Sequence, residues 1–333
     1  MTKISGIAVI GDGGWGTTLA ILLSKKGFDV SLWSAFPEYA SVVKTTRENV
    51  KFLPGVKIPA EIEVTGSLIE ALKDRGLVVL ATPSQFMRGV LNKLKSQDIS
   101  DKRFVSVTKG IENGTLKRMS EVITECLGKQ KLAVLSGPTI AHEVANLSPT
   151  SAVIASDDKE LAKDAQEAFM TDRFRVYTSD DMLGVEIGGS IKNIIAIAAG
   201  ALDGLGFGTN AKAALLTRGL VEIVRLGVAM GAKRETFYGL SGLGDLTTTC
   251  VSQYSRNRWL GEEIGKGKKF SDVLKETDMV VEGVATAKAA YDLAKKYNVE
   301  MPITTEIFKV LYENKDPKIA VHDLMTRSAK SEF

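Results

Sequence analysis

Ile10-Gly11-Asp12-Gly13-Gly14-Trp15-Gly16-Thr17-Thr18 is the stretch on which the reading of the chain turns. A G-x-G-x-x-G pattern is weak by itself, because any glycine-rich turn can carry it. Its neighbours supply the context. A β-branched run, Ile4–Ile10, leads into it. Trp15–Lys26 has helical periodicity and is closed by Gly27, and Asp29–Trp33 (DVSLW) is a second strand. Strand, glycine turn, helix and strand within about 30 residues make a dinucleotide-binding βαβ unit. Gly11 permits the tight turn, Gly13 lets the backbone approach a pyrophosphate, and Gly16 lets helix and strand pack closely. The helix N-terminus offers N–H groups and the positive end of its dipole to the phosphates. Trp15 is either a hydrophobic plug or a wall of the cofactor site.

The rest of the first half repeats the alternation. Leu77–Ala81, Phe104–Thr108, Leu132–Leu135, Ser151–Ala155 and Phe174–Tyr177 read as strands, with Leu116–Leu127 and Lys159–Phe169 among the helices between them. Continuous apolar strands separated by helices imply a mostly parallel, doubly wound α/β sheet buried on both faces. After about Asp181 the strands stop. Met182–Leu205, Ala211–Met230, Arg256–Gly265, Thr286–Tyr297 and Thr304–Tyr312 read as helices, so an all-α domain follows. The division expected is 1–186 for the nucleotide and 187–333 for the substrate and catalysis.

Bulk properties narrow the function classes. A chain of 333 residues is long enough for about two domains. Its formal net charge of +3 gives no reason to invoke nucleic acid or an anionic membrane. Cys126 and Cys250 lie far apart and read as buried reduced thiols. With only His142 and His322, a histidine-based metal site is not expected. The start of the chain has no signal-peptide pattern. The most apolar stretch, Ile187–Leu202, is interrupted by Lys192 and Asn193 and is shorter than the ~20 residues of a membrane span. A cytoplasmic protein without a membrane span is the expectation.

Two clusters in the second half carry chemistry. Lys192 is the only base in the apolar helix of Met182–Leu205, beside Gly188 and Gly189. Paired glycines weaken a helix and call for a close approach to backbone or ligand. Lys192 either snorkels or pairs with Glu186 or Asp203, or it is a catalytic lysine. Burial and nearby cations would bring its pKa down from ~10.4 towards neutrality. In the second cluster, residues 239–261, three glycines surround Asp245, and Ser255-Arg256-Asn257 open a helix. Ser255 can cap that helix, its free N–H groups can meet an anion, and Arg256 adds a fork matched to phosphate oxygens. Arg256 and Arg258 could alternatively form a solvated helix face.

The chain resembles the bacterial-type NAD(P)-dependent glycerol-3-phosphate dehydrogenases. The resemblance rests on GDGGWGTTLA (11–20), ATPSQ (81–85), VTKGIE (107–112), LSGPTIAHEVA (135–145), IKNIIAIAAG (191–200), GLGDLTTTC (242–250), SRNR (255–258) and VEGVATA (281–287), in order along nearly the whole chain. It implies a Rossmann domain followed by an α-helical domain like that of 6-phosphogluconate dehydrogenase, and commonly a homodimer. It implies that Lys192 exchanges the proton, and that Lys109, Gly137, Thr139, Lys192, Asp245, Ser255, Arg256 and Asn257 contact dihydroxyacetone phosphate or sn-glycerol 3-phosphate. It also implies cofactor contacts at Gly14, Trp15, Lys109, Ala141, Arg256, Val280 and Glu282, beside Gly11, Gly13 and Gly16 of the cradle. Ala35 and Phe36, just past the second strand, stand where such enzymes often place a basic or polar residue. An acid at that tip would bond the ribose of NAD, and an arginine would accept the 2′-phosphate of NADP. The tip Ser34-Ala35-Phe36 has neither. Glu38 lies beyond it and the nearest bases are Lys44 and Arg47, so NAD and NADP both stay open. Other dehydrogenases of this architecture, acting on 3-hydroxyacids or ketopantoate, are the alternative. A non-catalytic dinucleotide sensor would leave Lys192 and the second cluster unexplained.

Overall fold

Gly6–Ile10 forms β1, buried along its whole length. The chain then enters α1 (Gly14–Lys25) and returns as β2 (Asp29–Trp33), parallel to β1 from Gly6↔Asp29 to Ile10↔Trp33. This computed structural model describes residue 4, residues 6–95 and residues 97–332. The α/β half continues through α2 (Pro37–Thr46), β3 (Glu48–Asn49), β4 (Leu53–Lys57), β5 (Glu63–Thr65), α3 (Leu68–Leu72), β6 (Leu77–Leu80), α4 (Ser84–Leu94), β7 (Arg103–Ser106) and α5 (Met119–Leu127). It ends with β8 (Lys131–Ser136), α6 (Ala141–Ala145), β9 (Thr150–Ala155), α7 (Lys159–Phe169) and β10 (Phe174–Ser179). Eight strands form one sheet in the order β10-β9-β8-β7-β6-β1-β2-β5, and every neighbouring pair is parallel except β8 with β9. The strand order reverses at β1, which lies between β2 and β6. Ligands of open α/β sheets bind outside the C-terminal strand ends at such a reversal.

The antiparallel pair of this sheet keeps its connection at one edge. β8 reaches the C-terminal edge at Ser136, and only a short loop and α6 follow before β9 runs back. Gly137, Thr139 and Ala141 are therefore kept at that edge. Gly137 turns the chain with φ +142, and Thr18 Oγ1 on α1 donates to the Ala141 carbonyl at 3.1 Å.

Three features of the α/β half differ from the sequence reading. The hairpin β3–β4 and the edge strand β5 were not expected. The helix read from Leu116 starts only at Met119, because Leu116 takes φ +59 and Ile111 makes a bridge with Arg118.

The helical half is α8 (Met182–Gly204), α9 (Thr209–Ala229), α10 (Asp245–Val251), α11 (Arg256–Gly265), α12 (Phe270–Val273), α13 (Glu282–Lys296), α14 (Pro302–Tyr312) and α15 (Pro317–Met325). Helix thus replaces strand at Met182, and α8 runs unbroken through residues 186 and 187. By length and composition α8 could cross a bilayer, but it is the buried centre of this half, with α9, α10, α11 and α13 packed around it.

Glycines on both partners let α8 and α11 touch backbone to backbone. A Cβ on Gly200 would lie 1.8 Å from the Arg258 carbonyl oxygen, and one on Gly261 would lie 1.9 Å from that of Ile197. Gly204 and Gly265 continue the same seam one turn on, where a Cβ would come within 2.2 Å and 2.4 Å of backbone oxygen. Arg258 pins the start of α11 to α8 through Asp203 at 2.7 Å, so it is not a solvated residue. The seam sets the distance between Lys192 and the first turn of α11. Gly200→Ala is expected to force the helices apart and destabilise the chain by about 1–3 kcal/mol, the range for overpacking. Thermal or urea unfolding beside the wild type measures it, and an unshifted transition would contradict the seam.

Candidate active site

The glycine cradle has the geometry its pattern implied. Gly11 adopts φ +120, with the Ala81 carbonyl oxygen 2.8 Å from where a Cβ would be, and a Cβ on Gly16 would sit 2.0 Å from the Gly11 carbonyl oxygen. Gly13 faces open space, and α1 begins behind it without a side-chain cap. A helix start left bare beside a glycine that nothing crowds fits an anionic group such as a pyrophosphate. Gly14 is hemmed in by the Phe52 carbonyl oxygen of the β3–β4 hairpin and by Ala141. The Trp15 ring packs on the sheet core and against Phe174 at 6.3 Å, and its indole Nε1 is buried without a partner among the described residues. Ala35 and Phe36 are exposed at the tip of β2.

Across the same edge, Asp245 gathers the predicted lysines. Lys192 on α8 is 5% exposed and Asp245, the first residue of α10, only 1%. Lys192 Nζ meets Asp245 Oδ1 at 2.5 Å and Thr249 Oγ1 at 2.6 Å. Lys109, on the loop after β7, donates to Asp245 Oδ2 at 2.7 Å, to the Gly137 carbonyl at 2.9 Å and to Thr139 Oγ1 at 3.1 Å. An ammonium has three donors. All three of Lys109 are engaged, while Lys192 keeps one N–H free of partners among the described residues. The alternative partners of Lys192 are occupied elsewhere: Glu186 accepts from Arg118 at 2.6 Å and from Ser120, and Asp203 holds Arg258 and Lys212. Burial brings the Lys192 ammonium down to about 8. Lys109 adds to the fall and Asp245 opposes it.

Gly188 and Gly189 make this convergence possible. A Cβ on Gly188 would come 2.7 Å from the Ser241 carbonyl oxygen, where a turn of π-helix (Leu240–Gly244) leads into Asp245. A Cβ on Gly189 would come 2.5 Å from Ser136 Oγ at the end of β8.

The Ser255-Arg256-Asn257 triplet divides its work. Ser255 caps α11, its Oγ accepting from the Arg258 amide at 3.2 Å. The Asn257 side chain is tied into structure, donating to Asn193 Oδ1 and accepting from the Gly283 amide, both at 2.9 Å. Arg256 has no hydrogen bond or ion pair to the described residues, and burial alone pulls it down to about 10. A half-buried guanidinium without a counter-charge is a site prepared for an anion. At the start of α13, Glu282 accepts both donors of Ser84, the amide at 2.8 Å and the hydroxyl at 2.5 Å, and burial pushes its carboxyl up. Val280, just before it, is exposed.

Sequence reasoning missed Thr249, Asn193 and Ser84. Thr249 lies four residues after Asp245, on the same helical face, and that spacing was the available signal. Asn193 donates to the Lys109 carbonyl at 3.3 Å, linking the two lysines through backbone. Among the described residues no group of three or more His, Cys, Asp or Glu could hold a metal ion, and both cysteines are buried and unpaired.

Comparison with known proteins gives the family. The sequence model of the NAD-dependent glycerol-3-phosphate dehydrogenase N-terminus matches residues 6–162, and that of its C-terminus matches residues 181–322. The chain belongs to the NAD-dependent glycerol-3-phosphate dehydrogenase family. The glycerol-3-phosphate dehydrogenase (NAD(P)+) of Chlorobium phaeobacteroides is 49% identical over 98% of this chain and 99% of its own. That of Fusobacterium nucleatum is 49% identical over 100% and 99%. The crystal structure of the Coxiella burnetii glycerol-3-phosphate dehydrogenase superposes with a TM-score of 0.94 at 38% identity, covering 98% of this chain and 99% of that one. A Ralstonia eutropha ketopantoate reductase, at 14% identity and a TM-score of 0.62, shares the fold alone.

Removing Asp245 would leave two buried ammonium groups facing each other. Asp245→Ala is expected to lower stability by about 3–5 kcal/mol, the cost of breaking a buried ion pair from one side. Pairing it with Lys192→Met should restore part of the loss, and denaturant titration of both variants measures the difference.

Proposed function

We propose that this chain reversibly reduces dihydroxyacetone phosphate to sn-glycerol 3-phosphate, an NAD(P)-dependent oxidoreduction at a CH–OH group that supplies glycerol 3-phosphate for glycerophospholipid synthesis. The observation that carries the reading is Lys192: buried, brought down to about 8, and holding one donor that no protein group takes. The nicotinamide, when bound, supplies or accepts the hydride at substrate C2.

The chain's own residues do the rest. The cradle of Gly11, Gly13, Gly14 and Gly16 receives the pyrophosphate at the start of α1. Lys192 gives its proton to the oxygen on C2 during reduction and takes it back during oxidation. Asp245 and Thr249 orient the ammonium so that its free N–H points at that oxygen, and the positive charge of Lys109 stabilises negative charge developing there. Arg256 and the N-terminus of α11 bind the substrate phosphate, and binding there orients C2 for the transfer. Gly137 and Thr139 fix Lys109, while Glu282, through Ser84, holds the start of α13 against the α/β half. In this reading residues 1–186 serve the nucleotide and 187–333 the substrate, and the enzyme works in the cytoplasm as a homodimer.

The deciding experiment is oxidation of NADH and NADPH by dihydroxyacetone phosphate, run beside a ketoacid such as ketopantoate. Turnover confined to ketoacids would overturn the substrate. Lys192→Ala should abolish turnover while nucleotide binding survives. In the wild type the reductive kcat should fall as pH rises through about 8, because the proton to be donated is lost there. Oxidation of glycerol 3-phosphate should rise through the same range. Arg256→Ala should raise KM for dihydroxyacetone phosphate by about 10- to 100-fold, as loss of a charge-assisted hydrogen bond predicts. Its effect on unphosphorylated dihydroxyacetone should be far smaller, and an equal effect on both would place Arg256 away from the phosphate.

A further inference from the structure

The tip of β2 lacks the acid that would mark NAD and the arginine that would mark NADP, but a carboxylate reaches that place from another strand. Asp12, the second residue of the glycine turn, is only 6% exposed, and its Oδ2 has no hydrogen-bond partner. Its backbone is clamped: the Asp12 carbonyl accepts from Asn49 Nδ2 at 2.6 Å and from Thr17 Oγ1 at 3.1 Å. The amide of Gly11, just before it, donates to the Trp33 carbonyl at the end of β2 at 3.1 Å. The carboxyl faces Ser34 and Tyr39. Burial pushes Asp12 up and the Ser34 hydroxyl pulls it part of the way back. The Tyr39 hydroxyl is raised by its own burial and, to a smaller extent, by the Asp12 charge.

The nearby cations are engaged or turned outward. Arg47 donates to the carbonyls of Pro59 and Ile62, at 3.4 Å and 2.8 Å. Lys51 lies over the Tyr39 ring at 5.0 Å, and Lys44 is exposed on α2. The residues that follow Ser34 are alanine and an exposed phenylalanine, neither able to pair with a phosphate.

Resting on the dehydrogenase reading above, we infer that Asp12 is the residue that selects the nucleotide, favouring NAD(H) and disfavouring NADP(H). The ribose of a dinucleotide lies at the tip of the second strand of such a unit. A 2′-hydroxyl there is a donor set beside a carboxyl group short of donors. A 2′-phosphate at the same place brings a second anion into the site, so that it must either face the Asp12 charge or force a proton onto one of the two.

The test is a fluorescence titration of NADH and NADPH binding, together with kcat/KM for each. The wild type should bind NADPH at least ~10-fold more weakly than NADH, the equivalent of one pKa unit of charge interaction. Asp12→Asn keeps the shape but removes the charge, and should narrow that ratio. Ala35→Arg, at an exposed position, should narrow it further by supplying the missing cation, and it serves if Asp12→Asn does not fold. Equal or tighter NADPH binding by the wild type, or no gain for NADPH in the folded variants, overturns the inference. The dissociation constants decide it without turnover: if neither nucleotide is oxidised by dihydroxyacetone phosphate, the proposed reaction fails while the nucleotide preference is still read from binding.

Discussion

The carboxylate of Asp245 holds Lys192 on one oxygen and Lys109 on the other, and much of the structure is organised to bring these three groups together. None of them could be buried alone, since an unpaired charge in an apolar interior is strongly unfavourable. The three come from separate places: a loop at the edge of the sheet, the middle of the longest helix, and the first residue of α10. Their meeting fixes how the helical half lies against the C-terminal edge of the strands. Asn193, next to Lys192, reinforces this by bonding the backbone of Lys109, and Ser84 with Glu282 adds a second polar tie between the halves.

So close a meeting requires backbones to approach where side chains would normally intervene. Gly188 and Gly189 allow it on one side of α8, towards the π turn and the end of β8. Gly200 and Gly204 allow it further along, towards Gly261 and Gly265 of α11. Glycine inside a helix costs roughly 0.5–1 kcal/mol relative to alanine. α8 accepts that at several positions because the surrounding helices bury nearly all of it. The result is that Lys192 and the start of α11, which carries Arg256, are placed by main-chain contacts with little freedom to shift, as the proposed proton donor and anion clamp would require.

The alternation of strand and helix was legible because the parallel strands are continuous apolar runs bounded by glycine, proline and serine. The β3–β4 hairpin was not, since Leu53-Pro54-Gly55-Val56-Lys57 is mostly exposed and carries the residues that usually end strands. Nor could composition show that β9 runs antiparallel to β8, because the connection carries a helix, α6, as the parallel crossovers do. In the site, Lys192 stood out as the only base in an apolar helix and Asp245 as an acid among glycines. Their pairing joins residues 53 apart in sequence, a distance at which spacing along one helix, which offers Glu186 and Asp203, is no guide. Lys109 entered through family resemblance alone. For Asn257 the motif did not show that its side-chain amide also joins α8, α11 and α13.

The polar groups without partners give the cleft a direction. Along the C-terminal edge the strands run β8, β7, β6, β1, β2. Gly137 and Lys109 stand at the first two positions, and Asp12 and Ser34 at the last two. From β7 to β2 is three strand intervals, about 14 Å at the usual spacing. Lys192, a cation with a donor to offer, belongs to the β7–β8 end through Asp245 and Lys109, while the β2 end holds a carboxyl oxygen with no partner among the described residues. A charge pattern of this kind orients what binds. In the proposed reading the nucleotide's hydroxyls lie at the β2 end and the separate phosphorylated, proton-accepting substrate at the other, and a phosphate placed at β2 instead would set anion against anion. Each unsatisfied buried group costs the fold some stability, and in the proposed reading the same groups choose what binds and the direction in which it lies.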